Sequence, residues 1–265
     1  DEKDLPFFIG LMRNLFDKKF PTPEPVINKN GNYISEIKGK KAAVVSFLKG
    51  SIKKNLNPIH CYEVGLYTGK LHLITKSLPG KRNNELSINS WRKIYNKVRN
   101  DCEKIHPNLS KVIEKNLEII ENKWPKKLPS GIIHADLFPD NIFFNGEKLT
   151  GIIDYYFSCN DFYAFEIAIC LNALCFEGKN ENLSFNVTKA KKFIDGYSSV
   201  RKLSNDEKDS LKTLCQGAAM RFLLTRVFDY LNLTEGAIVK IKDPLEYLKR
   251  LEFHENVKDY QDYFF

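Results

Sequence analysis

The sequence predicts an α+β fold with two lobes: a small antiparallel sheet followed by a larger, mainly helical lobe. Up to about residue 49 the chain consists of one apolar helix pattern and several short apolar segments separated by turn residues. Beyond Pro58 most apolar residues recur at helical spacing, apart from a β insert at 131–153. We therefore predict a partial N-terminal lobe over 1–49 and a C-terminal lobe over 50–265.

The first elements are a helix over 5–19 and a small sheet. Three prolines at 21, 23 and 25 prevent the helix from continuing, because proline lacks the amide hydrogen and fixes φ. Asn30-Gly31 is a tight-turn signal between extended segments. Strands are predicted at 26–27, 33–37 and 42–48. The polar segment 49–58 is interpreted as the junction between the lobes.

The C-terminal lobe begins at Asn57-Pro58, a cap followed by a first-turn proline, with a helix running to Ile74. Ser204 and Glu207 form a capping-box pattern before a long helix over 205–233. The β insert contains strands at 131–134, 142–144 and 149–153, and Asn145-Gly146 joins the last two as a hairpin. Further helices are predicted at 89–104, 109–123, 161–176, 187–199 and from Asp243-Pro244 onward.

Composition narrows the class of protein. The chain has 265 residues, 43% of them hydrophobic, which suffices for a sizeable core, and no apolar run is long enough to span a membrane. The formal charge of +8 is spread along the chain without a basic block, so nucleic-acid binding has no supporting motif. None of the six cysteines forms a CxxC pair, and no secretory signal is present, which predicts reduced thiols and a cytoplasmic location.

The segment from His134 to Asn141 contains candidate catalytic and metal-binding residues, with the spacing His-x-Asp-x-x-x-x-Asn. Phosphoryl transfer needs a carboxylate that accepts the proton of the attacking hydroxyl, and Asp136 is placed for this. It also needs oxygen ligands for Mg²⁺, which Asn141 and Asp154 offer. Because the hairpin reverses the chain, Asp154 is expected to return to the end of the sheet where Asn141 lies.

The same residues have a simpler interpretation. Asp136, Asp140 and Asn141 are common turn residues, and the spacing alone is a loose pattern. The context of strand, loop, Asn-Gly hairpin and a strand ending in Asp154 favours phosphoryl transfer. His134 is expected to order the loop by a hydrogen bond rather than to act as base or ligand.

The sequence resembles the aminoglycoside-phosphotransferase-like kinases, which share the protein-kinase fold, and within them it resembles the homoserine kinases of this type. The stretches that carry the resemblance occur in order along almost the whole chain. They are Asp4–Phe8, Ser46–Gly50, His134–Phe138, Ile153–Phe157, Cys159–Asp161, Ile169–Ala173, Arg221–Arg226 and Lys242–Leu248.

The resemblance implies ATP-dependent phosphorylation of L-homoserine to O-phospho-L-homoserine, in threonine biosynthesis, with ATP and Mg²⁺. Asp136 would be the base, Asn141 and Asp154 the metal ligands, and the backbone of Ser46, Phe47 and Leu48 the hinge that receives adenine. No glycine-rich loop or strand lysine precedes the helix at 5–19. We therefore expect the N-terminal lobe to be truncated and this chain to have reduced ATP affinity and turnover.

Four residues are candidates for contacting the acceptor. Arg221 and Arg226, placed about one turn apart on one helix face, would receive the carboxylate, and Asn160 and Asn172 would meet the ammonium group. For each arginine an ion pair with Asp229 or a neighbouring helix is an equal alternative.

The sequence is also compatible with other functions. One keeps the kinase but changes the acceptor to choline, methylthioribose or an aminoglycoside. Another is a non-catalytic binding or scaffold protein that retains the C-terminal lobe. Small-molecule substrates are the expected partners, with no nucleic acid or membrane, and the chain is expected to be a monomer or weak dimer.

Overall fold

A computed structural model of the protein describes residues 2–78, 80–178, 182–233 and 241–264. The chain divides into two compact units. The first comprises Asp1–Asn84, Pro129–Glu166 and Thr188–Leu203, and the second comprises Glu85–Leu128, Ile167–Val187 and Ser204–Phe265. This division differs from the boundary at residue 49, so the two lobes stay a prediction.

Short strands fall in groups between the helices of the described chain. The helices are α1 (Leu5–Asp17), α2 (Pro58–Thr75), α3 (Ile88–Val98), α4 (Leu109–Lys123), α5 (Tyr163–Leu174), α6 (Val187–Ser198), α7 (Asn205–Leu231) and α8 (Leu245–Asn256). The strands are β1 (Ile34–Ile37), β2 (Lys40–Ala43), β3 (Ser51–Ile52), β4 (Ser130–Ile133), β5 (Ile142–Asn145), β6 (Lys148–Ile152), β7 (Cys159–Phe162), β8 (Phe176–Glu177) and β9 (Ser184–Phe185). The predicted helices are confirmed to within a few residues, except that the helix expected over 89–104 ends at Val98.

The sheets of the first unit are small and antiparallel. Strands β1 and β2 pair, β5 lies between β3 and β6, and β4 pairs with β7. The Asn145-Gly146 hairpin is confirmed, with Asn145 opposite Lys148 and Gly146 at a φ of +61°. Strands β3 and β7 were not predicted, and both serve as short partners for strands that were.

The predicted strand over 42–48 is wrong beyond Ala43. The chain keeps one further bridge, between Val45 and Pro25, and then leaves the sheet. The apolar run that suggested a buried strand is largely exposed, with Phe47 at 93%. An apolar run without alternation does not by itself distinguish a buried strand from an exposed connection.

The start of α2 shows how the sequence sets a helix boundary. The Asn57 side chain accepts a hydrogen bond from the His60 amide at 2.9 Å, and His60 Nδ1 accepts one from the Asn57 amide at 3.1 Å. This reciprocal cap satisfies two amide hydrogens that have no partner within a helix. The second capping box, between Ser204 and Glu207 at the start of α7, is confirmed in the same way.

Helices α2 and α6 of the first unit approach each other through two glycines. A Cβ at Gly65 would overlap the carbonyl oxygen of Phe193, and a Cβ at Gly196 would overlap the carbonyl oxygen of Tyr62. Both obstacles are backbone atoms, which cannot rotate away. The crossing therefore depends on the absence of a side chain at both positions.

Replacing Gly196 with alanine is expected to destabilise the protein by about 1–3 kcal/mol, because the helices must separate to admit the methyl group. Urea unfolding measures the change. Gly10→Ala in α1 is the control, since a Cβ there meets nothing within 4 Å. That variant should gain about 0.5–1 kcal/mol from the better helix propensity of alanine. Equal stability of Gly196→Ala and wild type would contradict the tight crossing.

The second unit is organised around α7, which packs against α3, α4 and α8. A buried polar network joins its elements. His254 Nε2 lies 3.1 Å from the Asn172 side-chain oxygen, and His254 Nδ1 lies 3.0 Å from the hydroxyl of Tyr263. The Asn172 amide group also donates to the carbonyl oxygens of Ala168 at 2.9 Å and Cys215 at 3.1 Å. Such fully paired polar groups specify how helices pack.

Acid is expected to weaken the fold through His254. Burial, aided by the charge of Arg250, lowers the pKa of His254 from 6.5 to about 3. The unfolded chain takes up this proton as the pH falls through 6.5, whereas the folded chain does not until about 3, so stability is lost between these values. At pH 5 the loss is about 2 kcal/mol.

The measurement is urea unfolding at pH 7 and pH 5. The variant His254→Gln keeps a donor and an acceptor. In this variant the difference between the free energies of unfolding at pH 7 and pH 5 should shrink by about 2 kcal/mol. Part of the difference will persist, because burial also lowers the pKa of His72. An unchanged pH difference in the variant would contradict the assignment to His254.

Two global features bear on the class of protein. Within the described residues, none of the helices combines the length and apolar character needed to cross a membrane. All six cysteines are buried and unbridged.

Candidate active site

The loop that follows β4 carries the predicted chemistry, and it lies entirely in the first unit. Strand β4 delivers His134 to the end of the sheet, and Ala135 then turns the chain with a φ of +65°, in the left-handed region. A short 3-10 helix, Pro139–Asn141, leads into β5. Alanine rarely adopts this conformation, so the surrounding contacts must hold it there.

Glu166, in the first turn of α5, supplies those contacts. The carboxylate is fully buried and accepts hydrogen bonds from the backbone amides of His134 and Ala135, the latter at 3.1–3.2 Å. Hydrogen bonds from two amide groups compensate much of the free-energy cost of burying the carboxylate charge. The loop is thereby attached to the start of α5 at its most strained residue.

His134 ties the loop to the segment after β6 that carries Asp154. Its Nε2 lies 2.9 Å from the carbonyl oxygen of Ile153, and its Nδ1 lies 3.2 Å from the backbone amide of Asp136. A carbonyl can only accept and an amide can only donate, so the neutral ring is protonated on Nε2. His134 therefore has the loop-ordering hydrogen bonds expected of it.

Asp136 and Asn141 face each other across the loop. The Asn141 side-chain amide donates to the Asp136 carbonyl oxygen at 2.8 Å and to the Asp136 carboxylate at 3.2 Å. With the amide nitrogen used in this way, the side-chain oxygen of Asn141 is left for another ligand. Asp136 is partly exposed, whereas Asn141 is buried.

Asp154 returns to the same place through the hairpin. Ile142 pairs with Ile152, and the Ile153 amide donates to the carbonyl oxygen of Asn141 at 3.0 Å. Asp154 follows with a φ of +64°, and its side chain is exposed. Its carboxylate makes no hydrogen bond or ion pair with any residue that the structure describes. The expected return of Asp154 to Asn141 is thus confirmed.

These donors fit a hard divalent cation. Asn141 and Asp154 offer oxygen atoms, which Mg²⁺ prefers, and the exposed Asp154 carboxylate leaves room for water and phosphate oxygens. Across the described ranges no group of three or more His, Cys, Asp and Glu side chains has the arrangement of a metal site. A cation that keeps water and phosphate ligands does not need such a group, whereas structural zinc does.

The predicted adenine hinge lies at the end of β2 and beyond. Ser46 is tied to Glu24 by two hydrogen bonds of 2.8 Å, one through its hydroxyl and one through its amide. Leu48 packs against Gly151. The backbone amides and carbonyls of Phe47 and Leu48 have no hydrogen-bond partners among the described residues. They are therefore available to a ligand.

Asn160 lines a cleft of about 710 Å³ in the first unit, beside the β4–β7 pair. Its side-chain oxygen accepts a hydrogen bond from the Arg82 amide at 2.9 Å. The Arg82 side chain in turn pairs with Asp4 at 3.0 Å, just before α1. The cleft is also lined by Lys76, Lys81, Asn83, Ser130 and Asp161.

Two predicted substrate residues have internal partners instead. The Asn172 amide nitrogen donates to the carbonyl oxygens of Ala168 and Cys215, and its side-chain oxygen pairs with His254. Arg226 pairs with Glu246 of α8 at 2.9 Å and donates to the Asp243 carbonyl at 2.8 Å. The alternative of a neighbouring helix is thus correct for Arg226, and the partner is not Asp229.

The prediction that Arg221 and Arg226 share one helix face is wrong. Five residues along an α-helix rotate the side chain by about 140° relative to its starting direction. Arg221 is only 2% exposed and lies over the ring of Phe222, at 4.5 Å from its centroid. A two-arginine fork on one helix face does not form.

Glu166 is the residue that sequence reasoning missed. A signal was present, because Glu166 is the single charge in the apolar sequence of α5. A lone carboxylate on a buried helix needs donors, and the nearest loop with amide hydrogens to satisfy follows β4.

A model of the phosphotransferase enzyme family matches residues 1–202. The homoserine kinase of Mesorhizobium japonicum is 44% identical over 263 residues, covering 99% of this chain and 81% of the relative. The homoserine kinase of Xanthobacter autotrophicus is 48% identical over 260 residues, covering 98% of this chain and 80% of the relative.

Solved structures share the fold at low identity. Amicoumacin kinase hAmiN, in complex with AMP-PNP, Ca²⁺ and Ami, matches with a TM-score of 0.67 and 14% identity, over 98% of this chain and 79% of that one. Spectinomycin phosphotransferase APH(9)-Ia, in complex with ADP and spectinomycin, matches with a TM-score of 0.64 and 15% identity. The match covers 98% of this chain and 82% of that one. The predicted fold class is confirmed.

The fold and the loop together define an enzyme that transfers phosphoryl groups. The chain belongs to the phosphotransferase enzyme family and, within it, groups with the homoserine kinases.

Proposed function

We propose that the protein transfers the γ-phosphoryl group of ATP to the hydroxyl of L-homoserine, giving ADP and O-phospho-L-homoserine for threonine biosynthesis. The acceptor follows from relatives of 44–48% identity that are homoserine kinases. The observation that carries the chemistry is the Asp136–Asn141 hydrogen bond at the end of β4, with Asp154 returned beside it.

Each residue of the loop has a task in this reaction. Asp136 accepts the proton of the homoserine hydroxyl as that oxygen attacks phosphorus. The Asn141 amide holds the Asp136 carboxylate in position, while its oxygen and the Asp154 carboxylate would hold Mg²⁺. The bound cation would neutralise charge on the phosphate oxygens. His134 and Glu166 keep the loop in its strained conformation.

ATP would enter against the connection after β2. The unpaired backbone groups of Phe47 and Leu48 suit the edge of an adenine ring, which carries both donors and acceptors. Among the acceptor-binding candidates, Asn160 in its cleft and Arg221 stay proposals, whereas Arg226 and Asn172 are occupied within the protein.

The test is a coupled ADP-release assay with ATP, Mg²⁺ and a panel of hydroxyl acceptors. L-homoserine should be the preferred acceptor over choline, methylthioribose and an aminoglycoside. Preference for a cationic acceptor would replace the proposed substrate but keep the kinase. ADP release without any acceptor preference would contradict the proposal.

A further inference from the structure

Arg250 of α8 is a buried cation without a polar partner in the part of the chain that the structure describes. The side chain is 9% exposed, and its Nε and Nη1 atoms are buried with no hydrogen-bond partner among the described residues. The same holds for ion pairs, since Arg250 pairs with none of the described carboxylates. Burying an unpaired guanidinium costs free energy that folding must supply from elsewhere.

Aromatic stacking explains only part of this arrangement. The Arg250 guanidinium carbon lies 4.4 Å from the centroid of Tyr247 and 5.3 Å from that of Phe176. Stacking on rings satisfies the faces of the guanidinium plane. Its N–H groups point outward in that plane, so they still require acceptors.

Arg226 provides an internal comparison. It is also 9% exposed and lies over the same Tyr247 ring, at 4.5 Å. Arg226 nevertheless has a carboxylate, Glu246, and a carbonyl oxygen as partners. Two guanidinium groups thus share one ring, and of the two only Arg226 meets a carboxylate among the described residues. A buried guanidinium that lacks such a carboxylate suits an anionic ligand.

We propose that Arg250, stacked on Tyr247 and Phe176, binds the α-carboxylate of a small amino acid. A planar carboxylate matches the two parallel N–H groups of an arginine edge, and the buried surroundings strengthen such a pair. The proposal rests on the proposed function in one respect, because L-homoserine is the first such amino acid to test. A second, non-reacting amino acid would present the same chemistry.

Stability separates a ligand-binding arginine from a structural one. Arg250→Met, which keeps the volume but removes the charge, should leave the melting temperature of the ligand-free protein unchanged or raise it. Arg226→Met should lower it, because Glu246 loses its partner. If Arg250→Met lowers the melting temperature as much as Arg226→Met does, Arg250 is structural and the proposal is overturned.

Binding identifies the ligand. Calorimetry on the full chain compares L-homoserine with 3-aminopropan-1-ol, which lacks the carboxylate, and with inorganic phosphate. Wild type should prefer L-homoserine to the amino alcohol by about 30- to 100-fold, and Arg250→Met should abolish that preference. Arg250→Lys keeps the charge but loses the two parallel N–H groups of the guanidinium. It should therefore retain only part of the preference for L-homoserine. Equal preference in wild type and Arg250→Met, or tighter binding of phosphate, overturns the proposal.

Kinetics distinguishes the two sources of the carboxylate. A higher KM for L-homoserine in Arg250→Met, with the KM for ATP unchanged, assigns the site to the acceptor. An unchanged KM, with one of two L-homoserine binding events lost in calorimetry, assigns Arg250 to a second, non-reacting amino-acid site. A wild-type protein that does not phosphorylate L-homoserine refutes the proposed function, while the calorimetric comparison still decides the role of Arg250.

Discussion

Replacing Asp136 with asparagine is expected to lower kcat by about 10²–10⁴-fold, the usual contribution of a general base. Asparagine has nearly the same shape as aspartate. Its side-chain oxygen can still accept the hydrogen bond from Asn141 Nδ2, which lies 3.2 Å from the Asp136 carboxylate in the wild-type protein. The loop should therefore keep its structure while losing the proton acceptor. The measurement is the coupled ADP-release assay at saturating ATP and L-homoserine.

The control for this variant lies on the same loop. Asp140 is exposed and sits in the 3-10 helix Pro139–Asn141, so Asp140→Asn makes the same chemical change four residues away. It should keep turnover within a few-fold of wild type. Both variants should unfold at the wild-type urea concentration. Near-normal turnover of Asp136→Asn would remove Asp136 from the role of base.

The second large effect is expected at Glu166. Glu166→Ala leaves the buried amides of His134 and Ala135 without an acceptor, which should cost about 2–5 kcal/mol for the two groups. Because Ala135 then loses the contact that holds its left-handed conformation, turnover should fall together with stability. Urea unfolding and kcat, measured on the same preparation, follow the two effects.

Glu63 offers a matched control for the loss of an acceptor. Its carboxylate accepts one hydrogen bond, from the Leu149 amide at 3.1 Å, and is only partly buried. Glu63→Ala should cost about 1 kcal/mol and leave kcat unchanged. A Glu166→Ala protein that is as stable as Glu63→Ala would show that the loop does not depend on Glu166.

Local signals in the sequence were sufficient for most of the fold. The Asn57 cap, the Asn145-Gly146 hairpin and the start of α7 each depend on side chains within a few residues of one another. Strand β7 could not be found in this way, because Cys-Asn-Asp-Phe has little strand preference. It forms because β4 offers it a complementary edge, which is a property of the folded chain.

The residues of the candidate site likewise differ in whether local sequence determines their position. Asp136, Asn141 and Asp154 were predicted together because a loop and a hairpin, both local, bring them into place. Glu246, Cys215 and His254, the partners of Arg226 and Asn172 on other helices, lie 20 to 82 residues away in the sequence, and no sequence pattern predicts these contacts. Burial decides whether an arginine meets a substrate or a neighbouring helix, and burial is settled by tertiary packing.

The left-handed backbone at Asp154 sets a second requirement on that position, independent of metal binding. Aspartate and asparagine tolerate a φ of +64° better than other residues with a side chain. Asp154→Asn therefore alters the charge and leaves the backbone preference almost unchanged. Alanine or glutamate at 154 would alter both at once, and any loss of activity in those variants would combine misplacement of the β6 terminus with loss of a ligand.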